Sequence, residues 1–189
     1  GTVWVPAGRY VIRGTLDIPL NVELRGEWRS PEAGPVVGTV LMAYAGRGEA
    51  EGEPFIEMHA NCAVTNLSIW YPEQSAAEPA PYPWTIVQRP MDLFKPFATI
   101  QNVTLVNSWQ GIRLGLSEKG SNNWFVRHVF GTPLKAGVDL DMNIDTGRIY
   151  DVSFSPRYWE KSGLPSAPEP RGSFREWLRS NGTAFRLRR

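Results

Sequence analysis

Short alternating runs of apolar and polar residues recur along the chain, and several share a six-residue pattern: apolar, any, Asn/Asp/His, apolar, any, apolar. Val64-Thr65-Asn66-Leu67-Ser68-Ile69, Ile100-Gln101-Asn102-Val103-Thr104-Leu105 and Ile149-Tyr150-Asp151-Val152-Ser153-Phe154 are full copies. Val126-Arg127-His128-Val129 begins another, which breaks at Gly131 where the last apolar residue belongs. Counted at the polar position, the copies lie 36, 26 and 23 residues apart, and self-similarity at ~20–50 residues points to a stacked array. Apolar residues at period two, many of them β-branched and bracketed by Gly or Asn, predict strands. An Asn, Asp or His between two apolar residues suits a sharp bend, where it tolerates unusual backbone angles and bonds to the turn above or below. These features predict an all-β, right-handed, single-stranded parallel β-helix, in which stacked coils bury a face that no single coil could bury alone. An antiparallel sandwich, with short strands at regular spacing, is the alternative.

The N-terminal residues continue the theme. Val3 and Val5, Tyr10 and Ile12, Leu16 and Ile18, and Val22 and Leu24 alternate with polar residues between turns at Pro6-Ala7-Gly8, Gly14 and Pro19-Leu20-Asn21. A Gly/Pro-rich excursion over about 27–53 encloses one strand at Thr39–Tyr44, and a proline-stiffened loop spans about 71–84. Residues 1–154 therefore read as coils with lateral loops, and 155–189 as a loop, a short helix and the start of a further coil. Phe174, Trp177 and Leu178 share one face of that helix, which Asn181-Gly182 would end.

The run Gly1-Thr2-Val3 with Pro6-Ala7-Gly8, Tyr10 and Ile12, then Leu16-Asp17-Ile18-Pro19, then Val22-Glu23-Leu24-Arg25-Gly26, resembles the N-terminal coils of the pectate-lyase-like superfamily. More narrowly it resembles the rhamnogalacturonase- and epimerase-like branch, which includes β-1,3-glucanase β-helices and phage tailspikes. Gly147 to Pro156 and Tyr82-Pro83-Trp84-Thr85-Ile86 resemble later coils of bacterial members. The resemblance implies the β-helix, a polysaccharide or glycan as partner, and an assembly that can be a homotrimer. It does not choose among hydrolases, lyases, epimerases and non-catalytic binders. Polygalacturonase motifs do not transfer: Asn143-Ile144-Asp145 is present, but there is no Asp-Asp pair, Val129 follows His128, and Tyr150 follows Arg148-Ile149. Members of the superfamily carry a helix before the Gly-Thr-Val strand, so the chain reads as a fragment truncated at both ends.

Composition narrows the picture. The chain has 189 residues, 42% of them apolar, enough for one sizeable core. Lys plus Arg number 20 against 19 Asp plus Glu, so there is no electrostatic footprint for nucleic acid. Cys62 stands alone, which excludes a disulfide framework and a cysteine metal site. No run reaches the ~18 apolar residues of a membrane span. Composition points to no nucleic-acid or membrane partner, and the resemblance implies a secreted or periplasmic protein.

For chemistry, the run from Gly137 to Asp145 stands out. With Val138, Leu140 and Met142 facing inward, Asp139 and Asp141 project from one face ~6–7 Å apart, within reach of the separations used by glycosidic carboxylate pairs. Asp139, Asp141 and Asp145 are the expected catalytic acids; the bland alternative is solvent-facing Asp and a turn residue. His128, at the bend position, is expected to be structural. Trp70, Tyr71, Trp84, Trp109, Tyr158 and Trp159 sit at strand ends or in loops, where rings could stack on sugar faces. With Glu73, Arg113 and Arg148 they complete the expected substrate-binding set. No metal site or cofactor is expected, except that a lyase could use Ca²⁺ to neutralise a uronate. The leading reading is a glycoside hydrolase. A polysaccharide lyase and a non-catalytic glycan-binding module stay open beside it.

Overall fold

A computed structural model of the chain describes residues 1–89, 97–115, 123–141, 146–170 and 172–188. Asp145, the third expected acid, lies outside the described residues. The protein is mostly β, and every pairing between its strands is parallel, which rules out the antiparallel sandwich.

Two sheets form. The first runs in the order β1 (Thr2–Trp4), β4 (Glu23–Arg25), β7 (Cys62–Trp70), β9 (Ala98–Leu105), β11 (Trp124–Gly131) and β13 (Gly147–Phe154), with β2 (Gly8–Ile12) and β5 (Thr39–Ala43) alongside. The second contains β3 (Leu16–Ile18), β6 (Ile56–Met58), β8 (Trp84–Gln88), β10 (Gln110–Leu114), β12 (Ala136–Leu140) and β14 (Thr183–Leu187). From β7 onward the chain alternates between the sheets, so each strand pairs with the one two elements before it.

The period-two pattern explains the register. Val64, Ile100, Val126 and Ile149 align across four strands of the first sheet, and the first three are fully buried. Ile56, Ile86, Ile112 and Val138 form the matching row in the second sheet, also fully buried. Each such side chain contributes about 1.5–3 kcal/mol by leaving water. At the last strands the rows open: Ile149 is only partly covered, and Phe185, the register partner of Val138, is 43% exposed.

The polar position of the motif is a bend. Asn66, Asn102, His128 and Asp151 have φ of 58, 56, 50 and 51°, in the left-handed region that most L-residues avoid. Their side chains link one strand to the next. Asn102 Nδ2 donates to Asn66 Oδ1 at 2.7 Å, and His128 Nδ1 lies 3.0 Å from Asn102 Oδ1. His128 Nε2 is 3.2 Å from Asp151 Oδ2. Gly131, where the sequence motif breaks, is pressed against its neighbour: a Cβ there would stand 2.1 Å from the Leu105 carbonyl oxygen.

A second apolar layer forms from Val36, Val40, Trp70, Val106, Leu134, Trp159, Leu164 and Phe174. Helices α1 (Arg157–Glu160) and α2 (Ser173–Asn181) supply Trp159 and Phe174, whose rings meet edge-to-face at 5.2 Å. Trp177 and Leu178 pack against the same cluster, so the apolar face of α2 is turned onto it.

The bend row gives a first test. Asn102→Ala loses the inter-strand bonds and also strains the backbone, whereas Asn102→Gly loses the bonds only. Both variants should be less stable than the parent in urea denaturation, with the Ala form lower than the Gly form by about 1 kcal/mol. Equal stabilities for the two would remove the left-handed bend as the reason for Asn.

Candidate functional site

Alternate residues of a strand face opposite ways, so the inward rows of the second sheet fix what projects outward. Asp17, Glu57, Val87, Arg113, Asp139 and Arg186 are register partners across six strands. One residue past the ends of β6, β8, β12 and β14 come His59, Arg89, Asp141 and Arg188. The result is a charged stripe, two residues wide, on the outer face.

Its charges pair diagonally, each acid with a base on the next strand. His59 Nε2 lies 2.9 Å from Asp17 Oδ1. Arg89 donates to both oxygens of Glu57, from Nε at 3.0 Å and from Nη2 at 2.6 Å. Arg188 grips Asp139 in the same way, at 3.0 and 2.5 Å. The Arg89 Nη1–His59 Nε2 distance of 3.2 Å joins the first two pairs into a four-residue network. Hydrogen bonds to Glu57 and to Asp139 are the main reason why Arg89 and Arg188 are held above the usual arginine pKa range.

The two ends of the stripe differ in access. The difference lies in Asp17, which keeps 58% of its side-chain surface in contact with solvent; Glu57 keeps 16%, close to the 18% of Asp141. Asp139 is 1% exposed, with Arg113 Nε 3.9 Å away as a second cation. The Arg113 guanidinium lies 5.6 Å over the Trp84 ring, and that ring packs against Val87 and Ala136. Asp141 reaches Arg188 Nη1 at 3.8 Å. The sequence reading takes Asp139 as a catalytic acid projecting from the outer face, with a solvent-facing Asp as the alternative; the structure leaves it almost no solvent. It projects outward from the sheet but is sealed there, with both carboxylate oxygens engaged by one guanidinium. Asp139, Asp141, Arg113 and Trp84 do come together on this face.

The remaining expected residues do not converge on it. Trp70, Tyr71, Tyr158 and Trp159 are buried, and so is Trp84, which corrects their expected display at the periphery. Trp70 and Trp159 fill the second apolar layer. Tyr71 lies in the main core, with its hydroxyl 2.9 Å from Thr85 Oγ1. Tyr158 Oη contacts Ser153 at 3.1 Å, under Phe130. Trp109 is half-buried, 6.2 Å from Trp177. Arg148 is exposed on the first sheet, and Glu73 is an exposed loop residue whose charge acts on Tyr82.

Asp17, Glu57, His59 and Arg89 are functional candidates that the sequence reading passed over. The signal was there: Leu16-Asp17-Ile18 and Ile56-Glu57-Met58 carry the same apolar–acid–apolar alternation as Val138-Asp139-Leu140. Among the described residues no group of three or more His, Cys, Asp and Glu could hold a metal ion.

Two outcomes follow from this geometry. Arg188→Ala leaves the buried Asp139 carboxylate without its fork and should lower stability by about 2–3 kcal/mol; Asp139→Asn in that background should recover part of the loss in urea denaturation. No recovery would mean that Arg188 stabilises by packing alone. Separately, burial first, and then the charge of Glu73, push the Tyr82 phenol up to about 12 from an ordinary 10.0. The folded form therefore holds a proton that the unfolded form has lost, and stability falls as pH rises from 10 to 12. Tyr82→Phe should flatten that fall, read as thermal midpoints across alkaline pH; an unchanged slope would refute the assignment. Comparison with family models, with curated proteins and with solved structures found no match.

Proposed function

We propose that the two parallel sheets are walls of a right-handed parallel β-helix, and that the protein is a glycoside hydrolase acting on a polysaccharide at the exposed end of the charged stripe. The observation that carries this reading is the register of Asp17 with Glu57 on adjacent strands. Parallel neighbours stand ~4.8 Å apart, close to the ~5–5.5 Å between the carboxyl groups of a retaining glycosidase. This moves the proposed carboxylate pair from Asp139 and Asp141 to Asp17, whose side chain is 58% exposed, and Glu57, which is 16% exposed and, like Asp139, is held by an arginine fork.

In this scheme Glu57, oriented by the two hydrogen bonds from Arg89, attacks the anomeric carbon as the glycosidic C–O bond breaks. Asp17 gives its proton to the departing oxygen. It then takes a proton from water as that water displaces Glu57 from the sugar, so the configuration is retained. A second reading is favoured by one feature: each acid of the stripe already has a basic partner. The stripe would then be an inter-strand clamp, and the protein a non-catalytic glycan-binding module.

The test is reducing-end release from a panel of polysaccharides by the parent and by Asp17→Asn and Glu57→Gln, each checked for native circular dichroism. Loss of about 10²-fold or more in both variants is expected for an acid/base or nucleophilic group. Parent-like rates in both would overturn the assignment. Glycan binding without product from the parent would leave the binding module standing. Ultraviolet absorbance from unsaturated ends would mean a lyase instead.

A further inference from the structure

The outer face of the first sheet is a separate surface from the charged stripe. Trp4, Arg25, Thr65, Gln101, Arg127 and Tyr150 are register partners over six strands, a row ~24 Å long at the usual strand spacing. Beside it runs a second row: Thr2, Glu23, Ala63, Thr99, Phe125 and Arg148. Trp4 and Tyr150, one at each end of the first row, are 52% and 48% exposed, unusual for rings of that size on a sheet face. Phe125 leans on Tyr150 at 5.9 Å, and Arg25 lies 6.0 Å over the Trp4 ring.

The polar groups between and around these rings are unequally satisfied. Glu23 accepts from Thr65 at 2.6 Å and from Thr2 at 3.4 Å, and Asp151 is met by His128 and Arg127. Thr99 and Gln101, at the centre of the face, have no side-chain hydrogen bond among the described residues, and Arg25 and Arg148 have no carboxylate partner among them. The face therefore offers a ring and a guanidinium toward each end, unpaired hydroxyl and amide groups between, and both of its acids already engaged.

We infer that this face binds an extended acidic polysaccharide lying across the strands. Rings stack on the C–H faces of sugars, guanidinium forks donate to carboxylate or sulfate oxygens, and Thr99 and Gln101 bond sugar hydroxyls. A linear glycan running along the row would present successive sugars to successive strands. The inference rests on the polysaccharide reading for the class of ligand, and it is independent of Asp17 and Glu57.

Affinity electrophoresis in gels containing polygalacturonate, dextran sulfate or neutral dextran tests it. The parent should be retarded by at least one acidic polymer and not by dextran; polygalacturonate alone identifies carboxylate, and dextran sulfate alone identifies sulfate, as the bound group. Trp4→Ala with Tyr150→Ala, and separately Arg25→Gln with Arg148→Gln, should each weaken retardation about tenfold. The Arg25 and Arg148 side chains are exposed, and native circular dichroism with an unchanged thermal midpoint in that double variant separates lost binding from unfolding. No retardation of the parent, equal retardation by dextran, or parent-like behaviour of both double variants would overturn the inference. Absent hydrolysis with retardation intact would remove the catalytic reading and leave this surface in place. Hydrolysis lost in Glu57→Gln, with both double variants retarded like the parent, would do the reverse.

Discussion

Parallel pairing in register places residues of equivalent position directly above one another, and nearly everything else in this molecule follows from that. A short strand such as β6 or β8 cannot bury its inward residues alone. Stacked with its neighbours it forms a continuous apolar row, with Ile56, Ile86, Ile112 and Val138 in mutual contact distance of the same core. The backbone bonds hold the spacing, and the Asn66–Asn102–His128–Asp151 row holds the bend. Each part is weak alone, and its worth comes from repetition along the stack.

The same constraint acts on the outward side with different consequences. Like residues stacked in register repel when they carry like charge, and the second sheet answers by pairing acids and bases on the diagonal. Where the stripe is covered, as at Asp139, the pair is a desolvated clamp whose disruption is expensive. Toward Asp17 it opens to solvent, and the same arrangement keeps Asp17 and the largely covered Glu57 on adjacent strands with a histidine and an arginine in contact. The buried and the solvent-facing pairs are thus built from one pattern, and access separates them.

Much of the strand framework was legible in the sequence because period-two apolar runs with a left-handed-tolerant residue between them leave little choice of conformation. Asn102 and His128 could be assigned to bends for that reason, and α2 from the spacing of Phe174, Trp177 and Leu178. The fate of the aromatics was not legible. A ring at a strand end looks the same in sequence whether water or another segment lies above it, and Trp70 and Trp159 meet only because the region after Phe154 folds back over the first sheet. The diagonal pairs were hidden for a related reason. Arg188 comes from a strand 49 residues beyond Asp139, and the Gly/Pro-rich excursion separates Asp17 from Glu57, so their neighbourhood depends on a register that only the fold supplies.

The unequal spacing of the motif copies, 36, 26 and 23 residues, leaves the strand register untouched, because the inward rows set alignment and the lateral loops merely connect them. Loop closure grows unfavourable slowly, by about 0.6 kcal/mol for each doubling in length. Segments between strands are therefore free to lengthen, shorten or change composition while the walls stay as they are. Scaffold and periphery can evolve at different rates, and new recognition can be tried at the margins of a stack that need not be refolded to accept it.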